Sequence, residues 1–422
     1  MALWIYLIMS ALPGVAQEAP LSLQDCYQAA IRHSVWPQLA ARDEQAGALR
    51  DLVLQNRLKP QITLNGQATW QSETLTFPAD LFPGDVPVIP RFQYRATADL
   101  SQTLYDGGTV RAARDLNITQ TAVTTQQSQL EQDKVRDQVN NLFFPALMLQ
   151  GQLAIIQNSQ QDLVNRRRVI QSGVTNGVLL PGDLLSFDRQ AMMLEQQRLQ
   201  VAAELEGLLQ VLAVKMGLPD TARLVLKAPD ALQLPPELSP AGSSQLALID
   251  LQDRQLEAAR KALEASRLPQ AGAFVQAGAG QPHPYNLLNT NLSGFVLAGV
   301  RLSWTPFDWE STRKGAEIVD LQREQLALRR TQAEEALLAG GLRQRALIPA
   351  LDSIIATDDR IISLQQSLVD QTEAQMLAGV RTSADYLKEV STLTQARLQR
   401  EVHYIQSLQV RASLLTLYNA WK

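Results

Sequence analysis

The feature that most constrains this chain is an internal repeat at a fixed offset. Asp106 and Asp308 stand 202 residues apart (308 − 106), and the segments opening at Gly177-Val178-Leu179 and Gly379-Val380-Arg381 keep the same interval (379 − 177). Pro60 and Pro269 each precede an alternating stretch and are 209 apart (269 − 60), so the second copy is shorter between its proline and its aspartate. Self-similarity at a long period means one supersecondary unit used twice, with the same elements in the same order. That order reads helix, strand, strand, long helix, glycine turn, helix. The expected division is a signal peptide over 1–16, a first repeat over 17–218, a connector over 219–243 and a second repeat over 244–422. Strands are expected at about 61–76 and 91–105 in the first copy and about 270–280 and 295–307 in the second, with helical tips at about 173–185 and 375–387.

The strands alternate with period two. Ile62, Leu64, Gly66, Ala68 and Trp70 share one face, while Thr63, Asn65, Gln67, Thr69 and Gln71 share the other. Phe92, Tyr94, Ala96, Ala98 and Leu100 oppose Gln93, Arg95, Thr97, Asp99 and Ser101 in the next run, after a proline-rich loop. In the second copy a Gly/Ala-rich run over Ala271–Gly280 precedes Val296, Ala298, Val300, Leu302 and Trp304. About ten residues with one dry and one wet face suit a tilted strand of a membrane barrel. Two soluble amphipathic hairpins on a helical core have the same pattern, and alternation does not separate the two.

Everything else reads as helix. Ser22 and Asp25 have the spacing of a capping box opening an Ala/Leu/Gln/Arg-rich stretch to Leu58, interrupted by Pro37. After Gly107-Gly108 the chain reads as helix to about Ser172, with Leu130, Val135, Val139 and Leu142 at three- and four-residue steps and an expected kink or boundary at Pro145. Some 65 residues of helix span roughly 100 Å, too long for the interior of an ordinary globule, so side-by-side helix packing is implied. A further helix is expected from Asp183 to Met216, and the proline-rich connector has little periodicity.

Composition removes several function classes. With 38 Lys+Arg against 42 Asp+Glu and a net charge of −4, no basic surface is available for sequence-independent nucleic-acid binding. Three histidines and the single Cys26 do not make a zinc or haem motif. Gly278-Ala279-Gly280 runs into Gln281-Pro282 rather than a helix and lacks a third glycine, so it reads as a strand and not a dinucleotide loop. No phosphate-binding loop, nucleophile elbow or Cys/His catalytic motif occurs, so no catalytic, cofactor or metal residue is assigned and no enzyme is expected. The apolar N-terminal run ends at Gly14-Val15-Ala16, which suits signal-peptidase cleavage after Ala16, although the usual basic start is missing. Asp25 before Cys26 is a poor context for acylation. No later run of 18 or more apolar residues is evident, so a membrane would be entered by strands.

These pieces together resemble the TolC-like outer membrane efflux protein family. The resemblance rests on Leu21-Ser22-Leu23-Gln24-Asp25, on Ser34-Val35-Trp36-Pro37-Gln38-Leu39, on the proline before each hairpin, on Leu104-Tyr105-Asp106-Gly107-Gly108, and on both glycine turns. It covers nearly everything after the signal. It implies a mixed α and β membrane protein in which three copies build a twelve-stranded outer-membrane β-barrel continued by a periplasmic α-helical barrel of coiled-coil character. Four strands cannot close a barrel and an open edge cannot face lipid, so oligomerisation follows for any membrane reading.

The resemblance also implies a function. The chain would be the passive outer-membrane duct of a tripartite efflux or type I secretion system, reaching into the periplasm and meeting a periplasmic adaptor (membrane fusion protein) and an inner-membrane pump. Adaptor docking would use Gly177, Val178, Leu179, Gly379, Val380 and Arg381. Asp183, Arg381 and Asp385 would form the periplasmic gate, with Lys388 standing where relatives often have a second Asp. Trp70, Tyr94, Tyr105, Trp304 and Trp309 fall near strand ends, where interfacial aromatics contact outer-membrane lipid. The alternative is a helical coiled-coil scaffold outside membranes with soluble hairpins.

Overall fold

A computed structural model describes residues 20–75, 88–220, 223–230, 232–235, 239–286 and 289–421. The expected signal peptide and most of the proline-rich loop before Pro90 lie outside the described residues. The elements run α1 Leu23–His33, α2 Trp36–Asn56, β1 Gln61–Trp70, β2 Phe92–Tyr105, α3 Thr109–Thr175, α4 Pro181–Lys215, α5 Ser244–Ala265, β3 Gln270–Gln281, β4 Ser293–Ser303, α6 Ser311–Leu377 and α7 Ser383–Leu417. The helices α3 and α6 are both 67 residues long, and α4 and α7 are both 35. Their starts and ends all keep one offset, since 311 − 109, 377 − 175, 383 − 181 and 417 − 215 each equal 202.

Local chemistry sets the boundaries. Ser22 caps α1 in a reciprocal box with Asp25, donating its N–H (3.1 Å) and hydroxyl (2.6 Å) to the carboxylate while accepting from the Asp25 N–H. The α1–α2 break falls at Ser34–Val35, and Pro37 sits in the first turn of α2, where its missing N–H costs nothing. Pro145 does not divide α3, which is unbroken from Thr109 to Thr175, and Pro349 lies inside α6 in the same way. Phe143, Phe144 and Ala146 are fully buried around Pro145, and that packing offsets the lost backbone hydrogen bond. β1 stops at Trp70, short of the expected 76, because its partner begins at Phe92. β4 stops at Ser303, short of 307, ahead of Pro306.

The described chain forms two compact units, each drawing on both repeats. One contains the residues up to Gln38, Ser128–Leu246 and the chain from Ala333 onward. Its core is a helical stack of Leu23, Cys26, Val139, Phe143, Phe144, Ile156, Phe187, Leu212, Leu408 and Ala412. Cys26 is fully enclosed, and burial with Asp25 beside it pushes the thiol up to about 12, leaving it unreactive. The connector is fastened to this unit by a short bridge: Leu21 N–H donates to Val225 O (2.8 Å), Lys227 N–H to Leu21 O (2.9 Å), and Gln150 holds both polar groups of Leu226. An 18-residue window of α3 has a mean hydropathy of 1.3, and 44% of it is buried, which fits a core helix.

The other unit, Leu39–Gln127 with Ala247–Gln332, carries a sheet in the order β1-β2-β3-β4, antiparallel throughout. Its helices are joined by ion pairs from Arg114 to Asp51 (2.6 Å), Arg323 to Asp253 (2.8 Å), Arg330 to Asp250 (3.0 Å) and Arg260 to Asp320 (3.1 Å). Hydrogen bonding from Arg114 and Arg323 holds the Asp51 and Asp253 carboxyls below the usual range.

Candidate functional site

The pairing register sorts the sheet into two faces. Ile62 pairs with Leu100, Leu64 with Ala98, Ala98 with Ala277, and Ala277 with Val296, so one face is apolar from edge to edge. Thr63 pairs with Asp99 and Asp99 with Gln276, so the other face carries the polar residues. In a soluble sheet the apolar face is the covered one. Here it is open: Leu64 is 78% and Val300 71% exposed, and on the polar face Thr63, Asn65, Gln67 and Arg301 are exposed as well, while Thr97 is buried among its neighbours. The polar face is cross-linked by its own side chains, because Asp99 accepts from Asn65 (2.6 Å), from Thr97 (3.0 Å) and from Gln276. Arg95 donates to Gln67 (3.2 Å) and Arg301 stacks on Phe274 (5.3 Å to the ring centroid).

Aromatic side chains gather at both ends of the apolar face. Trp70 pairs with Phe92 at one end, with Tyr94 next to them donating to Gln281 (2.6 Å). At the other end Tyr105, Trp304, Phe307 and Trp309 are all exposed, and Phe307 packs edge-on to Trp309 (5.4 Å). Phe92 and Phe307 were missed in the sequence, though each stands within two residues of an assigned aromatic. The turn after each hairpin is the same structure with different residues. Asp106 accepts from the N–H groups of Gly108 (3.0 Å) and Val110 (2.7 Å), and Asp308 accepts from the Thr312 N–H (3.0 Å). Gly107 and Gly108 are left-handed, and so are Trp309 (φ 53°) and Glu310 (φ 62°), residues that pay a steric penalty there.

Two helical hairpins turn at Gly177 and Gly379, both left-handed at φ 72° and 75°. Each ends its long helix in the same manner: Val178 N–H reaches Gly173 O (2.8 Å) and Val380 N–H reaches Gln375 O (2.9 Å). Val178 and Val380 project outward, 74% and 76% exposed, and Leu180 is comparably open. Leu179 instead folds back over Gly173 onto the core. Asp183 and Asp385 occupy equivalent capping positions, accepting from the Leu180 N–H (2.9 Å) and from the Thr382 N–H (3.1 Å) and hydroxyl (2.7 Å). The Thr382 bonds, with smaller contributions from Arg381 and Lys388, lower the Asp385 pKa. The Arg381 side chain is exposed and makes no hydrogen bond or ion pair among the described residues. Beneath the turns Phe187 stacks on Tyr386 (6.1 Å), Arg166 lies over the Tyr386 ring (5.8 Å) and pairs with Glu373, and Arg167 holds Asp188 (2.5 Å). This clasp between the hairpins was invisible in sequence because its aromatics are not at equivalent repeat positions.

The fold, a four-stranded sheet and two copies of a 67- and a 35-residue helix, is shared with solved structures of outer membrane channels. Among solved structures the chain is similar to that of CusC, which forms a transmembrane channel, at 13% identity and a TM-score of 0.74 over 96% of this chain and 95% of that one. It is also similar to the outer membrane protein VceC of Vibrio cholerae (12% identity, TM-score 0.69, 94% of this chain and 95% of that one). The open state of the MtrE outer membrane channel of Neisseria gonorrhoeae is similar as well (14%, 0.70, 94% and 88%). At these identities the likeness is one of fold. No family model and no curated protein sequence matches the chain.

Proposed function

We propose that the protein is the outer-membrane exit duct of a tripartite efflux or type I secretion system, with its sheet in the bilayer and its helical tips in the periplasm. The observation that carries this reading is the sheet's apolar face, left open from β1 to β4, with the opposite, polar face linked by side-chain hydrogen bonds. Lipid is the environment that removes the cost of such a face, and a polar face suits an aqueous lumen. Closing the edges then requires further strands, and three copies give the twelve-stranded barrel. A partner seam runs along α6, where Leu347, Ile354, Ile361 and Leu368 are exposed at seven-residue steps, the interval of helix-to-helix contact.

The exposed Val178, Leu180 and Val380 form the adaptor-docking surface at the tips, with Arg381 beside them. Arg381, whose side chain has no partner among the described residues, latches Asp183 of a neighbouring hairpin and closes the periplasmic end until an adaptor docks. Energy comes from the inner-membrane pump. Cell fractionation tests the assignment: the protein should pellet with outer membranes and resist alkaline wash. Recovery in the soluble fraction would leave the helical scaffold as the surviving reading.

A further inference from the structure

Residues 282–285, just after β3, stay against the sheet. Pro284 lies against Gly280 on the polar face, where even a Cβ would come within 3.3 Å of the proline ring. One residue on, the Tyr285 hydroxyl donates to Gln276 Oε1 (2.9 Å), and Gln276 is five positions back along β3 from its last residue. The Tyr285 N–H also donates to His283 Nδ1 (3.2 Å), which fixes the bend. The rings of His283, Tyr285 and Phe295 then meet edge to face, at 5.1 Å between Tyr285 and Phe295 and 6.1 Å between His283 and Phe295. Phe295 is a large apolar side chain on the polar face, nearly buried beneath these two rings. The Gln276 side chain also donates to Asp99, so the cluster is tied to the hydrogen-bonded centre of that face.

A strand run from Gln270 to Gln281 starts just after helix α5, so the loop beyond Gln281 lies at the end of the sheet far from the helices. We infer that the His283–Tyr285–Phe295 cluster is a constriction at the outer mouth that sets a size limit on what crosses it. This rests on the duct reading above, in which the polar face lines the lumen. Each copy would contribute one cluster, so the mouth narrows by several aromatic rings at one level. Rings held by hydrogen bonds and edge contacts are rigid, which suits a filter by width. The substrate class that follows is small solutes, and bulky molecules outside are held back by the same rings.

Cysteine labelling on intact expressing cells tests this. Ser101 is an exposed polar-face residue on β2, two positions beyond Asp99 toward the helices, and the native Cys26 is buried and silent. Ser101→Cys should react with a small cationic methanethiosulfonate and resist a maleimide carrying a long polyethylene glycol chain, which has no other route across the outer membrane. Adding Tyr285→Ala and Phe295→Ala should raise bulky labelling by an order of magnitude or more. Gln276→Ala, which removes the tether of the Tyr285 hydroxyl together with one donor to Asp99 but keeps the rings, should raise it less. Retained labelling by the small reagent in the same variants reports an intact barrel. Equal bulky labelling with and without the aromatics, whether fast or absent, overturns the constriction while leaving the duct in place. Failure of even the small reagent to label Ser101→Cys would instead sink the lumen assignment.

Discussion

At the scale of residues, the strongest expectations concern side chains held against their local preference. Trp309 and Glu310 are left-handed where the first repeat has Gly107 and Gly108. A left-handed non-glycine residue costs roughly 1–2 kcal/mol, part of which glycine returns through its larger unfolded-state entropy. Trp309→Gly should therefore raise the thermal stability of detergent-solubilised protein, by about 1 kcal/mol at most. The same variant should insert less efficiently into outer membranes, because an aromatic at the rim is lost. A more stable variant with undiminished insertion would mean that Trp309 does not meet the interface. At the tips, Arg381→Ser should raise single-channel conductance in planar bilayers. Asp183→Ser should give a similar rise that does not add to the first, since one latch breaks once. Unchanged conductance in both would leave them as ordinary surface charges, a pair worth at most about 1 kcal/mol.

At the scale of elements, the sheet register turns a pattern into a test of faces. Ala68 and Ala98 lie on the apolar face, opposite Tyr94 and Leu64 respectively. Arginine at either should cost roughly 2–4 kcal/mol if the position lies near the bilayer midplane, and should lower the yield of assembled protein. Thr63 is exposed on the polar face opposite Asp99, and arginine there should leave assembly unchanged. Thr97 shares that face, yet it is buried and donates to Asp99, so arginine at Thr97 would disrupt packing rather than report on orientation. Loss of assembly at all three of Ala68, Ala98 and Thr63 would show that the faces are misassigned. The strand faces were legible in sequence because period two is a local property. The continuity of α3 through Pro145 was not, because it depends on buried side chains packed around the proline.

At the scale of the whole molecule, the exposed seam on α6 calls for a neighbour. Light scattering in detergent should read three protomer masses, and Ile361→Glu, which places a charge in the middle of the seam, should shift the population toward single protomers. An unchanged mass would move the interface elsewhere. The sequence alone determined the order of elements, the twofold repetition and the alternation of the strands. Periodicity, capping residues and glycine turns act over a few residues and so leave a direct record in the chain. It also placed both glycine turns, where left-handed backbone is required. Only the tertiary structure decided which side chains meet across long separations: the Phe187–Tyr386 stack, the Asp99 network over three strands, and the return of Tyr285 onto Gln276. Those contacts depend on strand register, helix facing and loop direction. No local preference encodes these three, because each is settled by the packing of segments distant in sequence.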